Sequence, residues 1–196
     1  MILSKIKSTQ LVLLGFILCA SCNSKTKLKE VRVSEQYSLE VPEFTEETKT
    51  LNDDASLQYF NGVKEFYVIV LDEEKEVTFD AIKDNMLEFK YGLNLKGYAS
   101  LINDSFDMNT DVQKKSELKD TTINGLSAQI LEMHTISEKV ETYFHVAFIE
   151  GKKHFYQVLV WTLYTKKNEH NALMKQVVNS FKELPGKEIP VRKKVS

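Results

Sequence analysis

Three runs along the chain are apolar at almost every position: FYVIVL at 66–71, YFHVAFI at 143–149 and FYQVLVW at 155–161. A sheet with one wet face would alternate apolar and polar residues, so these strands are expected to be covered on both faces. Elsewhere the period lengthens. Phe79, Ile82, Met86, Phe89 and Leu93 are spaced 3, 4, 3 and 4, which predicts one helix with all five on its core-facing side. Thr78 is its expected N-cap and Asp80 favours its first turn, while Gly92 and Gly97 weaken any continuation towards the YASLIN segment. A second helix is expected near 168–182, with Leu173, Val177 and Phe181 as its apolar stripe. Two amphipathic helices and a two-faced sheet are most simply arranged as a three-layer α/β/α sandwich with a central antiparallel sheet, an α+β fold.

Turn residues divide the rest. YSLEVPEF at 37–44 alternates as a strand up to Pro42, and Asn61-Gly62 between two strand-like runs predicts a tight hairpin. Residues 112–123 read as a polar strand, joined through Asn124-Gly125 to LSAQILEMHTI. A two-residue turn at Ser137-Glu138 leads into KVETYFHVAFI, and a turn at 150–153 into HFYQVLVWTLYT. The result is a four-strand antiparallel meander. Residues 23–36 are polar and without a strong period and read as a tether, and the basic segment 184–196 reads as a frayed tail. The domain is then expected over 37–183.

This element order resembles the PsbP-like fold, shared by the PsbP subunit of photosystem II, a Ran-binding nuclear-transport factor and DcrB-type bacterial envelope lipoproteins. The resemblance is carried by YSLEVP, NGLSAQILEM, FIEGKKHFYQVLVWT and VVNSF, and spans roughly residues 37–183. It implies a binding or assembly module, and brings no shared active site with it.

The N-terminus changes the picture of where the domain works. Lys5 and Lys7 precede the apolar run LVLLGFILCA, which is too short to span a bilayer as a helix and reads as an export signal. The small pair Ala20-Ser21 before Cys22 resembles the lipobox of bacterial lipoproteins, although Cys19 stands where that pattern favours Leu. The resemblance implies a signal peptide over 1–21 and acylation of Cys22, which anchors the mature chain to a membrane. Cys19 leaves with the signal, so a single cysteine remains and the C-x-x-C spacing is neither a disulfide nor a redox pair. Removing Lys5 and Lys7 leaves 24 basic against 28 acidic side chains, a net charge of −4 that offers no field for nucleic acid. Asn23 is not the inner-membrane-retaining Asp of enteric lipoproteins, and no acidic stretch resembling a surface-export signal follows it. The expected location is the bacterial cell envelope, lipid-anchored on the periplasmic side of the outer membrane.

With 196 residues, 42% of them hydrophobic, the chain can bury one core without metal or disulfide staples. No phosphate loop, H-E-x-x-H, G-x-S-x-G or dinucleotide turn occurs, and no cofactor or metal is expected. Four histidines remain. A turn at Ser137-Glu138 sets His134 opposite Glu141 and His145 opposite Ile130, about 13 Å apart along the strands, too far to share a zinc ion. His134 with Glu141 reads as a cross-strand ion pair; with Glu132 nearby it is also the one candidate acid–base pair, for an envelope hydrolase. His145 reads as buried, and His154 and His170 as surface residues. Tyr143, Tyr156, Tyr164 and Trp161 are expected in the core, or partly exposed along a ligand groove. The chain is thus expected to bind an envelope protein or a small ligand without catalysis, a purely structural envelope role being the other non-catalytic alternative.

Overall fold

The computed structural model describes residues 26–185; the signal segment, Cys19, Cys22 and the basic residues from 186 onwards lie outside them. Among the described residues eleven strands and four α-helices follow one another. β1 (Leu28–Val33), β2 (Tyr37–Pro42) and β11 (Lys182–Glu183) form a small antiparallel sheet in the order β1-β2-β11. The large antiparallel sheet runs β3 (Glu46–Glu47), β4 (Leu57–Asn61), β5 (Phe66–Glu74), β10 (His154–Leu163), β9 (Val140–Glu150), β8 (Leu126–Ser137) and β6 (Asp111–Lys115), with β7 (Lys119–Ile123) also paired to β8. Between β5 and β6 lie α1 (Lys75–Asp84), α2 (Glu88–Tyr91) and α3 (Leu95–Asn109). A 3-10 turn (Tyr164–Lys166) leads from β10 into α4 (Lys167–Asn179).

The three apolar runs are β5, β9 and β10, adjacent at the centre of the large sheet and covered on both faces. On one face Phe66, Val68, Ala147, Ile149, Val158 and Val160 pack against Met174, Val177 and Val178 of α4 and against Tyr37, Leu39 and Val41 of β2. On the other, Ile69, Val146, Phe148, Phe155 and Leu159 pack against Leu95, Tyr98 and Ala99 of α3, with Phe79 of α1 beside them. Each Val, Leu, Ile, Met or Phe side chain buried in these layers contributes about 1.5–3 kcal/mol relative to exposure, and the alanines less. Gln157 interrupts the apolar run of β10 without loss, because its amide donates to Glu73 Oε1 at 2.9 Å and to the Tyr98 hydroxyl at 2.9 Å. The three-layer arrangement is as expected, with the small sheet added to the α4 layer. Its strand β1 falls within the segment expected as tether: Leu28 to Val33 pair in full register with Pro42 to Tyr37.

The long helix expected from Phe79 to Leu93 is not one helix. α1 ends at Asp84, Met86 takes a left-handed φ of 56°, Gly92 takes 74°, and Asn94 caps α3 by accepting from the Gly97 N–H at 3.0 Å. Each break changes the helical phase, so the 3-4 spacing no longer points one way. Ile82 is buried and Phe79 packs on the core, but Met86 is 79% exposed, Phe89 94%, and Leu93 is also exposed. Thr78 sits inside α1 and bonds back to the Glu74 carbonyl at 3.0 Å instead of capping. A Cβ on Gly97 would collide with the Tyr91 carbonyl oxygen, so α2 and α3 meet there backbone to backbone.

The two Asn-Gly pairs behave differently. Asn124 (φ 47°) and Gly125 (φ 85°) make the expected two-residue turn between the paired residues Ile123 and Leu126. Asn61, by contrast, is the last residue of β4 and pairs with Phe66, so the connection is the four-residue loop 62–65 and its left-handed residue is Glu65. The Asn61 side chain accepts from the Lys64 N–H at 2.8 Å and donates to the Phe44 carbonyl at 2.6 Å, which fixes that loop without a tight turn. Replacing Gly125 by Ala should therefore cost about 1–2 kcal/mol in urea unfolding, from backbone strain alone. Gly62→Ala, at ordinary φ and with its Cβ meeting the Phe60 ring at an ordinary 3.9 Å, should change stability by less than about 0.5 kcal/mol.

Candidate functional site

The strand registers align one row of residues across the sheet near one end: Lys114 on β6 faces His134 on β8, which faces Tyr143 on β9, then Thr162 on β10, Phe66 on β5 and Asn61 on β4. At the β6 side of this row the chain leaves a cup of about 190 Å³ lined by Lys114, Ser116, Glu132, His134, Tyr143, Tyr164 and Lys167. It forms where α4 begins: the helix covers the centre of the face but its first residue, Lys167, lies only at the level of Tyr143. Ser116 closes the edge, where its N–H donates to the Glu132 carbonyl at 2.9 Å and its hydroxyl accepts from the Glu132 N–H at 3.0 Å.

The turn between β8 and β9 is Glu138-Lys139, both with positive φ, one residue later than expected. This shifts the pairing by two. His134 faces Tyr143 and His145 faces Glu132, while Ile136 faces Glu141. The His134–Glu141 pair forms all the same, diagonally, with Nε2 and Oε2 3.0 Å apart. The two histidines are two positions apart along the strands, about 7 Å, so the longer separation first expected is corrected. Their rings turn to different carboxylates: His145 Nδ1 lies 3.8 Å from Glu132 Oε1. Among the described residues no three His, Cys, Asp or Glu side chains converge as a metal ion would need.

Within the cup the His134 ring stacks on Tyr164 with centroids 3.8 Å apart, and the Lys167 ammonium stands 4.3 Å above the Tyr143 ring. Glu132 is bound by the Lys175 ammonium at 2.8 Å. Burial pushes the Glu132 carboxyl up, but hydrogen bonds from Lys175 and Tyr143 outweigh it and hold the group below its ordinary range. Burial, reinforced by the Glu132 charge, holds the Tyr143 phenol protonated well above its ordinary range. Among the described residues neither Lys114 nor Lys167 forms an ion pair, so the cup keeps two cations uncompensated at its mouth. Its chemistry is that of a small basic and aromatic recess.

The other expected candidates lie elsewhere. Tyr156 is fully buried in the α4-side core against Tyr37 and Phe181, which agrees with the core placement expected first and removes it from the alternative of a ligand groove. Trp161 is half-buried on the opposite face, stacked between Tyr67 and Phe144 at 5.2 and 5.6 Å. His170 is not a surface residue: it is buried against Phe66 and its Nε2 meets the Lys64 carbonyl at 3.0 Å. His154 is half-buried at the β9–β10 turn. Lys114 and Lys167 carried no mark in the sequence. Lys114 reaches the row only through a β-bulge between Val112 and Lys114, and Lys167 through the 3-10 turn before α4.

His145 is buried as expected, and its Nδ1 has no hydrogen-bond partner. Burial pushes its pKa down to about 4; Glu132 raises it and Lys175 lowers it further. A histidine near 6.5 when unfolded and about 4 when folded binds more protons in the unfolded state between those values, so it stabilises the fold above pH 6.5 and loses that contribution as pH falls towards 4. The full contribution is about 3 kcal/mol. The unfolding free energy of wild type minus that of His145→Leu should fall by that order between pH 7 and pH 4; a difference independent of pH contradicts it.

No protein-family model matches the sequence, and comparison with curated proteins finds no match. Solved structures do match. The cyanobacterial PsbP protein CyanoP from Synechocystis sp. PCC 6803 superposes with a TM-score of 0.50 at 12% identity, over 81% of this chain and 93% of that one. LpqN, described as involved in cell envelope biogenesis of Mycobacterium tuberculosis, superposes with a TM-score of 0.52 at 8% identity, over 82% of this chain and 92% of that one. At these identities the likeness concerns the fold: the chain is a mixed α+β domain of the PsbP-like fold, built on a large antiparallel sheet.

Proposed function

We propose that this chain is a lipid-anchored envelope protein that works by binding, without catalysis, and that the recess between β6, β8 and the start of α4 receives its ligand or partner. The observation that carries this reading is the pairing state within the recess. His134, the one candidate base, has its Nε2 engaged by Glu141 and its ring stacked on Tyr164, while the two groups left uncommitted to carboxylates are the ammonium groups of Lys114 and Lys167. Uncommitted cations beside aromatic rings recognise an anionic or π-rich group. The Ser116 hydroxyl that lines the recess is tied to the backbone, donating to the Glu117 carbonyl and accepting from the Glu132 N–H, which favours binding over nucleophilic chemistry at His134.

The lipobox-like Ala20-Ser21-Cys22 supports anchoring through an acylated Cys22. No helix among the described residues is long and apolar enough to cross a membrane. LpqN, which shares the fold, is described as an envelope-biogenesis protein, and an envelope location on the periplasmic side of the outer membrane fits the same picture for this chain.

Incorporating a benzophenone amino acid at Tyr164 in the membrane-anchored protein should trap an envelope protein or small ligand, and Lys114→Ala with Lys167→Ala should lower the yield severalfold. A Tyr164 adduct pattern no different from that of a crosslinker placed at Val77 contradicts the reading. His134→Ala should lower stability by about 1 kcal/mol, from the lost ring stacking and half-exposed ion pair, and lower the cellular function only in part, because the recess keeps its other contacts. Complete loss of function in a folded His134→Ala protein would favour the hydrolase instead.

A further inference from the structure

The N-terminal end of the described chain emerges at a particular place. The Lys27 carbonyl accepts from the Glu43 N–H at 2.9 Å, the next residue Phe44 packs edge-on to Phe66, and Lys64 places its ammonium 4.9 Å above the Phe44 ring. The chain therefore leaves the fold beside loop 62–65, at the end of the sheet marked by the row from Lys114 to Asn61. The same end holds the Glu138-Lys139 turn, the 3-10 turn after β10 and the C-terminus of α3, whose following residue pair, Asp111 with Ile136, lies next to that turn.

Four of the large apolar side chains that the fold leaves exposed gather here. Val63 at the tip of loop 62–65 is 91% exposed and Met108 in the last turn of α3 is 75% exposed, and Val140 and Tyr164 are exposed on the turns between them. They stand on three separate connections and on a helix end. Around them Lys27, Lys64 and Lys139 stand near Glu43, Glu65 and Glu138 in the chain, and Lys166 and Lys167 follow Tyr164, so this end has apolar tips set among charges of both signs. Apolar tips flanked by lysines and a tyrosine are suited to the boundary between headgroups and acyl chains. Five residues separate Cys22 from Leu28, six steps that span about 20 Å at full extension.

We infer that this end of the domain docks on the bilayer that holds its own anchor, with Val63 and Met108 entering the headgroup region. The inference rests on the anchoring of Cys22 proposed above. Short reach explains why this end, and not the far one at the β9–β10 turn, meets the lipid. The tips themselves are uncharged, so the contact read at residues 63 and 108 should persist when salt screens the lysines near them. The recess opens beside the docked end and then faces material at or just above the membrane surface.

The test uses the full chain, processed in cells and reconstituted in vesicles of phosphatidylethanolamine and phosphatidylglycerol. Val63→Cys, Met108→Cys and, as a control near the far end, Val77→Cys each give one labelling site for an environment-sensitive fluorophore, since Cys22 is acylated. Docking predicts blue-shifted emission at 63 and 108, and quenching by headgroup-level spin-labelled lipid several times stronger than at 77, persisting at high salt. Anchored protein in which 63 and 108 are quenched no more than 77, or lose their quenching at high salt, overturns the docking alone. Protein that stays soluble, with no acyl mass on Cys22, overturns the anchoring and the docking together.

Discussion

Everything in this molecule follows from three strands that have no wet face. β5, β9 and β10 carry apolar residues on both sides of the large sheet, so the chain must supply two covers. One is α4 with the small sheet, held by Met174, Val177, Val178 and Phe181 against Tyr37 and the sheet interior. The other is the α1–α3 layer, seated through Tyr98, Ala99 and Phe79. Polar groups enter these layers only with partners, as Gln157 does with Glu73 and Tyr98, or at a cost, as the unpartnered Nδ1 of His145 shows.

Covering both faces leaves the rim of the sheet as the place where the recess proposed for binding can open. α4 starts only at the level of Tyr143, and the bulged strand β6 brings Lys114 in beside His134. The recess is the gap between these two limits. Its charges are arranged by the same geometry: Lys175, further along α4, reaches back to Glu132, while Lys167 at the helix start is left over the Tyr143 ring. Binding at such a rim needs no motion of the core, and it places the site at the end from which the N-terminal segment leaves.

Much of this was legible in the sequence, and the failures have particular causes. Near-continuous apolarity identified the central strands and the need for two covers, and Leu173 and Val177 marked the last helix, although Phe181, counted in its stripe, is buried beyond the helix end at Asn179. Asn124-Gly125 was read correctly because both residues supply the positive φ that a two-residue turn demands. Asn61-Gly62 carries the same letters but works through the Asn61 side chain, which is invisible to a pattern of turn residues. The stripe from Phe79 to Leu93 was misread because periodicity assumes continuity: Met86 ends α1 in a local cap, with the Leu87 N–H donating to the Ile82 carbonyl and the Met86 N–H to the Lys83 carbonyl, and Gly92 turns the chain before α3. In the site, His134 and Glu141 were paired correctly through a register that was wrong by two, since a diagonal contact survives that shift. Lys114 and Lys167 were missed because surface lysines have no sequence signature until the register and the helix start are known.

Amide hydrogen exchange over the whole domain tests the central claim most directly. If two-sided burial of β5, β9 and β10 organises the fold, their amides should exchange only through global unfolding, with one common free energy, while loop 62–65, the Glu138-Lys139 turn and the 3-10 turn before α4 exchange by local opening. Central-strand amides on β9 or β10 that exchange as freely as those connections would contradict the account.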